Sequence, residues 1–184
     1  MADAQKLAED LNKISDGGII LLETSADKSF ETSLASVKHL LKNNDNGIII
    51  SANRPYNNLM SVYKKNNIDT SKIFVLDLIS KSQNAEIDAK NVKYLENVSA
   101  LTNISLAINE CIKILNGKKF IFIDSITTML LHNEPYIFAR FIHSVLTRMR
   151  VNGIEGLLVS LEDRTNREVR AEIAQLCDKV VKIS

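Results

Sequence analysis

The chain has 184 residues, of which 45% are hydrophobic and 24% are charged, and its formal net charge is +1. This length and composition predict a single globular domain over residues 1–184, and the near-zero charge gives no electrostatic basis for binding nucleic acid. The apolar runs are too short to cross a bilayer and the N-terminus has no signal-peptide pattern, so we expect no membrane contact and a cytoplasmic location.

The first half of the sequence alternates helix-like and strand-like segments. Residues 1–16 are predicted to form an opening helix, because Leu7, Leu11 and Ile14 recur at helical spacing. The polar segment Glu23–Ser29 is predicted to be a loop, and residues 43–47 a turn. The other elements of this half are predicted as strand Gly18–Leu22, helix Phe30–Lys42, strand Ile48–Ile50, a helix from Pro55 to about Asn66, and strand Ile73–Leu78.

The second half continues the same alternation after a polar loop at residues 79–91. Its predicted elements are a short strand Val92–Leu95, helix Leu101–Leu115, strand Phe120–Ile123, a long helix from Pro135, strand Glu155–Leu161, helix Arg167–Leu176 and strand Lys179–Ile183. Strands that alternate with helices at this spacing predict right-handed βαβ units. The expected fold is therefore an α/β three-layer sandwich, with a mostly parallel sheet flanked by helices.

The stretch FIFIDSITT, residues 120–128, carries the strongest functional signal in the chain. Its apolar residues are typical of a central parallel strand, and they run directly into Asp124 and Ser125. Ligands of open α/β sheets bind at the carboxyl ends of such strands. The simpler interpretation is a buried strand followed by a helix that Asp124 or Ser125 caps.

Several motifs, taken in order, resemble those of the RecA-like P-loop ATPases, and most closely the KaiC-like branch found in archaeal and bacterial signalling and clock proteins. They are Lys28-Ser29 after the first strand, then IIISANRPYNNL, FIFIDSITTML, GLLVSLED and CDKVVKIS. The resemblance runs from Gly18 to Ser184 and implies a RecA-like sheet. It also implies that Asp124 takes the place of the Walker B aspartate, and that Lys28, Ser29 and Asp124 belong to a site for ATP and Mg²⁺.

The loop after the first strand departs from the family motif. A working P-loop reads GxxxxGK[ST], whereas the aligned residues 22–29 read LETSADKS and contain neither glycine. Those glycines permit positive φ angles and allow backbone amides to surround the phosphates. Asp27 would in addition place a carboxylate beside the phosphate position.

A second departure lies after Ser51, where Asn53 and Arg54 replace acidic residues of the KaiC-like enzymes. An amide cannot accept a proton from an attacking water, so this position offers no general base. No catalytic residue is assigned, no bound cofactor is expected, and the sites for Lys28, Ser29 and Asp124 are interpreted as vestigial. We expect a non-hydrolysing regulatory or signalling module that acts through a protein partner or as a homo-oligomer.

Two alternatives remain open from the sequence. The chain could bind ATP or hydrolyse it slowly through an atypical P-loop, with Glu162 beside Ser160 as a substitute base. It could instead be a receiver-like domain that is phosphorylated on Asp124 and uses Ser160 and Lys182.

Three further groups of residues have ordinary structural interpretations. The histidines and cysteines are scattered without metal-ligand spacing, so no metal site is predicted. Arg54 and Tyr56 could contact a base or partner, but a loop residue and an exposed helix start are the simpler roles. Arg164, Arg167 and Arg170 could form a phosphate-sensing or subunit-contact loop, or a solvated helix start.

Overall fold

The computed structural model describes residues 2–13, 17–162 and 166–183, and at its centre is one sheet of seven strands. Every neighbouring pair in the order β4-β3-β2-β5-β6-β1-β7 is parallel, which confirms the predicted sheet. The strands are β1 Ile19–Thr24, β2 Asn46–Ser51, β3 Ile73–Asp77, β4 Val92–Tyr94, β5 Lys119–Asp124, β6 Glu155–Leu161 and β7 Lys179–Ile183.

Helices cover both faces of this sheet, as a three-layer sandwich requires. They are α1 Ala2–Asn12, α2 Ala26–Asn43, α3 Tyr56–Lys65, α4 Leu101–Ile114, α5 Ile126–Leu131, α6 Pro135–Val151 and α7 Arg167–Leu176, with short 3-10 turns at Thr70–Lys72 and Ser80–Gln83. Helices α1 to α3 pack on one face, and α4 to α7 pack on the other. The predicted contribution of Ile14 to the first helix lies outside the described residues. No helix in the described part of the chain is long and apolar enough to span a membrane.

Strand β5 shows how the apolar runs divide between the two layers. Successive strand side chains point to opposite faces, so Phe120 and Phe122 pack among α1 to α3, whereas Ile121 and Ile123 pack among α4 to α7. All four are buried, and each contributes roughly 1.5–3 kcal/mol of hydrophobic stabilisation. A central strand is covered on both of its faces, so it must be apolar on both, as residues 120–123 of β5 are.

The predicted turn at residues 43–47 is wrong at its end, because β2 already begins at Asn46. Gly47 pairs with Phe120 in the sheet, and a Cβ atom at Gly47 would lie only 2.3 Å from the Phe120 ring. The glycine therefore provides space for a phenylalanine of the neighbouring strand. The reason for this glycine is a contact between two strands, so it cannot be recognised from the residues next to it in the sequence.

The predicted loop Glu23–Ser29 is also wrong. Strand β1 continues to Thr24 and helix α2 begins at Ala26, so Ser25 alone connects them. Thr24 lies between Leu161 of β6 and Ile183 of β7, and this pairing on both sides extends the strand. Serine is a favourable residue before a helix and Asp27 suits its first turn. Lys28 and Ser29 consequently lie in the first turn of α2.

The strand order also shows that the receiver-like alternative is wrong. Receiver-type sheets follow the order 2-1-3-4-5, in which the first strand is next to the second and third. In this chain β1 lies between β6 and β7.

Candidate functional site

Strands β2 and β5 form the switch point of the sheet. The chain passes from β2 to β3 in one direction and from β5 to β6 in the other, so a crevice opens at the carboxyl ends of β2 and β5. Ser51 and Asp124 are paired across this junction. The structure therefore places Asp124 where an open α/β sheet binds ligands, as the sequence predicts.

The carboxylate of Asp124 is linked to the loop after β2. The Asn53 side-chain Nδ2 donates a hydrogen bond to the Asp124 carboxylate over 3.0 Å, and the Asn53 side-chain Oδ1 accepts one from the Thr128 hydroxyl. Ser125 caps α5 by accepting a hydrogen bond of 3.3 Å from the Thr128 amide, which confirms it as the N-cap. Asn53 thus ties the end of β5 to the first turn of α5.

The surroundings of Asp124 favour its neutral form. Burial raises the pKa of this carboxyl above its ordinary value, and the Asn53 hydrogen bond and the Arg54 charge offset only part of that effect. Burial also raises the pKa of the nearby Tyr63 hydroxyl, and the charge of Asp124 raises it further. Desolvation that disfavours the ionised form of a carboxyl is unfavourable for a group that has to hold a hydrated cation.

Arg54 connects the same loop to helix α2. Its guanidinium lies 4.5 Å from the centre of the Phe30 ring and donates to the Asn58 side chain over 3.2 Å. Arg54 is therefore held by two protein contacts at the rim of the crevice. The prediction of an exposed helix start at Tyr56 is wrong, because this side chain is buried and its hydroxyl donates to Asn91.

The backbone amides of the turn after β1 donate hydrogen bonds to other groups of the protein. The Ser25 amide donates to the Ile183 carbonyl over 3.3 Å, and the amides of Lys28 and Ser29 donate to the Ser25 carbonyl over 3.2 and 3.0 Å. The Asp27 carboxylate accepts hydrogen bonds from the Ser25 hydroxyl and from the backbone amides of Asp27 and Lys28. These bonds, and most strongly the one from Ser25, hold the pKa of Asp27 below its ordinary value. The anion at this helix N-terminus is Asp27 itself.

This arrangement does not fit the phosphate loop that the family motif describes. That motif needs several residues between the strand and the helix, with amides that point at a ligand. Here a single residue connects β1 to α2. Strand β6 lies between β1 and β5, so the ends of β1 and β5 are separated by about 10 Å. Lys28, Ser29 and Asp124 do share one edge of the sheet, and their role in binding a nucleotide stays a prediction.

The carboxyl ends of β1, β6 and β7 border an open charged groove. Glu23 forms an ion pair of 3.0 Å with Lys182 across it, and Glu162 and Arg167 also line it. Ser160, the expected neighbour of Glu162, is fully buried, and its hydroxyl has no hydrogen-bond partner among the described residues. Ser160 and Glu162 therefore do not form a joint polar pair at the surface.

Two of the three arginines that were predicted near the end of β6, Arg167 and Arg170, lie among the described residues. Arg170 donates to the Leu161 carbonyl over 2.8 Å, so it supports the end of β6. Arg167 lies at the start of α7 beside the charged groove. The prediction for Arg164 lies outside the described residues.

Asp77 is the important residue of this edge that sequence reasoning missed. It is fully buried at the end of β3 and accepts hydrogen bonds from the backbone amides of Tyr56, Ile79 and Ser80 and from the Ser80 hydroxyl, at 2.6 to 2.9 Å. The Ser80 contacts follow from an Asp and a Ser three residues apart, which is a recognisable local pattern. The bond to Tyr56 joins distant segments and leaves no local signal.

Comparisons with known proteins agree with the fold of this chain. The family model described as ATPase: KaiC matches residues 10–184. No curated protein matches the chain. Among solved structures, the chain is similar to uncharacterized protein PH0321 from Pyrococcus horikoshii in complex with an unknown peptide, with 14% identity and a TM-score of 0.72 over 97% of this chain and 82% of that one. It is also similar to KaiC-like protein PH0186 from Pyrococcus horikoshii OT3, with 15% identity and a TM-score of 0.64 over 93% of this chain and 74% of that one.

Proposed function

This chain belongs to the KaiC ATPase family, and we propose that it is a regulatory or signalling member that acts through protein contacts, with a partner or with copies of itself, and does not hydrolyse ATP. The observation that carries this proposal is the connection between β1 and α2. A single residue, Ser25, stands where the family motif requires a phosphate loop. The Asp27 carboxylate then accepts hydrogen bonds from the amides at the helix N-terminus, so a triphosphate would have to displace an internal anion.

The surroundings of Asp124 support the same proposal. In phosphoryl transfer a Walker B aspartate acts through Mg²⁺, and a separate residue positions the attacking water. Here Asn53 stands in the position of the family's acidic residues and donates its amide to Asp124. An amide can position a water but cannot take its proton, so this edge lacks a general base at that position.

Protein binding is supported by the nature of one structural relative. The structure of PH0321, whose fold this chain shares, was determined with a peptide bound. A protein of this fold has therefore been observed with a bound peptide. We extend that property to this chain as part of the proposal.

The proposal is tested by isothermal titration of the full chain with ATP and Mg²⁺, together with an assay of phosphate release. We expect no binding in the micromolar range and no turnover above background. A matched variant, Asp27→Asn, removes the internal anion and keeps the side-chain size, so any weak affinity for nucleotide should increase in it. Micromolar binding by the wild type, or phosphate release that disappears in Lys28→Ala and Asp124→Asn, would contradict the proposal.

A further inference from the structure

Helices α4 and α6 enclose a groove on the face of the sheet opposite to α2. Its volume is about 540 Å³, and its apolar walls include Leu101 and Leu106 of α4 and Ile137 and Phe141 of α6. Arg148 of α6 donates to the carbonyl and the hydroxyl of Ser105 over 2.8 and 2.9 Å, which holds the two helices together beside it. The groove is therefore a fixed feature of two long helices.

Large apolar side chains at the groove are open to solvent. Leu106 and Ile137 are each 58% exposed, and Tyr136 and Leu131 near the start of α6 are exposed as well. Leu106 and Ile137 are both aliphatic, and they line the groove from different helices. Contiguous exposed apolar surface with a polar rim is characteristic of a protein-binding site.

The charge of the groove is one-sided. Helix α6 contains three arginines and a histidine and no acidic residue. Arg140 lines the groove, is exposed, and has no hydrogen bond or ion pair within residues 2–13, 17–162 and 166–183. Two nearby acidic residues are already engaged: Glu134, which precedes α6, accepts from the Ile137 amide, and Glu110, within α4, pairs with Lys93.

We propose that this groove binds an amphipathic helix of a partner protein, which inserts aliphatic side chains between Leu106 and Ile137 and places a carboxylate against Arg140. The groove extends along about two turns of each wall, which suits a short helix that presents side chains at positions i, i+3 and i+4. An acidic partner fits this groove, because its carboxylate would pair with the Arg140 guanidinium. This inference rests on the proposed function only in its premise that the chain acts through protein contacts.

A second copy of this chain fits the groove less well. In a two-fold contact each surface meets its own equivalent, so the Arg140 side chain would be brought towards the same positive side chain of the other copy. Like charges across an interface oppose association. The charge of α6 therefore favours a partner of different composition.

The experiment is a selection from a displayed library of random peptides of about sixteen residues, a length that forms a short helix. The library is selected on the full chain and depleted on the Leu106→Asp variant in each round. We expect the enriched peptides to combine aliphatic residues at helical spacing with Asp or Glu. Enrichment of basic or uncharged peptides, or no enrichment over the Leu106→Asp variant, would overturn the proposal.

The best peptide is then labelled and its affinity measured by fluorescence anisotropy. Arg140→Glu should weaken binding by about tenfold and Leu106→Asp by more. Two matched controls should stay within about twofold, since neither residue lines the groove: Ile114→Asp, on the same helix and 62% exposed, and Lys64→Glu, an exposed charge reversal on α3. Equal losses in the controls, or no loss in Arg140→Glu, would overturn the assignment.

Two further measurements separate this inference from the proposed function. Sedimentation equilibrium should show that the chain does not self-associate through the groove, and a dimer that Leu106→Asp dissociates would assign the groove to a second copy. Nucleotide titration of the same protein preparation distinguishes the two failures. ATP binding with intact peptide selection contradicts only the proposed function, whereas failed selection without ATP binding contradicts only the groove.

Discussion

The crevice between β2 and β5 and the groove between α4 and α6 differ in how their polar groups are used. At the crevice, the Asp124 carboxylate is bonded to Asn53, and Asn53 in turn to Thr128. At the groove, Arg140 has no such partner in the described part of the chain, and Leu106 and Ile137 are open to solvent. The polar groups named at the crevice are therefore hydrogen-bonded within the protein, whereas Arg140 at the groove has no partner among the described residues.

This difference indicates where the chain can still interact. A ligand at the crevice would have to break hydrogen bonds that the protein already makes, and each broken bond costs roughly 0.5–1.5 kcal/mol. A ligand in the groove would cover apolar surface and pair with Arg140, and it would break no hydrogen bond or ion pair that Arg140 makes among the described residues. The fold of an ATPase family therefore coexists here with an exposed apolar groove on another face.

The largest effect is expected from Asp77→Ala at the carboxyl edge. Loss of this acceptor leaves three backbone amides and a hydroxyl without their partner, most of them buried, so the free energy of unfolding should fall by about 3 to 5 kcal/mol. Urea-induced unfolding followed by circular dichroism measures this change. A loss below about 1 kcal/mol would contradict the contrast between the crevice and the groove, because the carboxyl edge would then not depend on its internal hydrogen bonds.

A smaller effect with a defined pH dependence is expected from Asp124→Asn. The folded-state pKa of Asp124 is raised above 3.8, so the native protein binds the proton more tightly than the unfolded chain does. Its contribution to stability therefore falls as the pH rises from about 3.8 through the folded-state pKa. The asparagine removes this penalty and can still accept the hydrogen bond from Asn53.

We accordingly expect Asp124→Asn to be more stable than the wild type at neutral pH, and to lose this advantage in acid. Unfolding by urea at a series of pH values checks the sign. A variant that is penalised more at neutral pH than in acid would show that the ionised carboxylate stabilises the crevice. The comparison would then have to be revised.

The smallest effect is expected from Ile137→Ser in the groove. This side chain is largely exposed, so the free energy of unfolding should change by no more than about 0.5 kcal/mol. The adjacent Phe138→Ala is the matched control, because Phe138 is fully buried and its truncation should cost about 3 to 5 kcal/mol. Thermal and urea unfolding measure both. If Ile137→Ser were strongly destabilising, the groove would be part of the core instead of a free surface.

Much of the fold was predictable from the sequence because its signals are local. Strands β6 and β7 and helix α7 begin and end where the pattern predicts, since hydrophobic period and flanking polar residues act within a few positions. The site was predictable only in part. Asp124 was expected at the carboxyl edge and lies there, whereas the tie through Asn53 to Thr128 joins residues 75 positions apart.

The sequence by itself determined the alternation of strands and helices, the apolar central strand, and the absence of the family's loop glycines. Only the tertiary structure decided that β1 runs on to Thr24, that Ser25 alone connects it to α2, and that Asp124 bonds to Asn53. It also decided that α4 and α6 leave an apolar groove whose arginine, Arg140, has no ion pair among the residues that the structure describes. The physical reason is range, because propensity and period act between neighbours along the chain, whereas strand pairing, side-chain hydrogen bonds and surface exposure depend on segments brought together by folding.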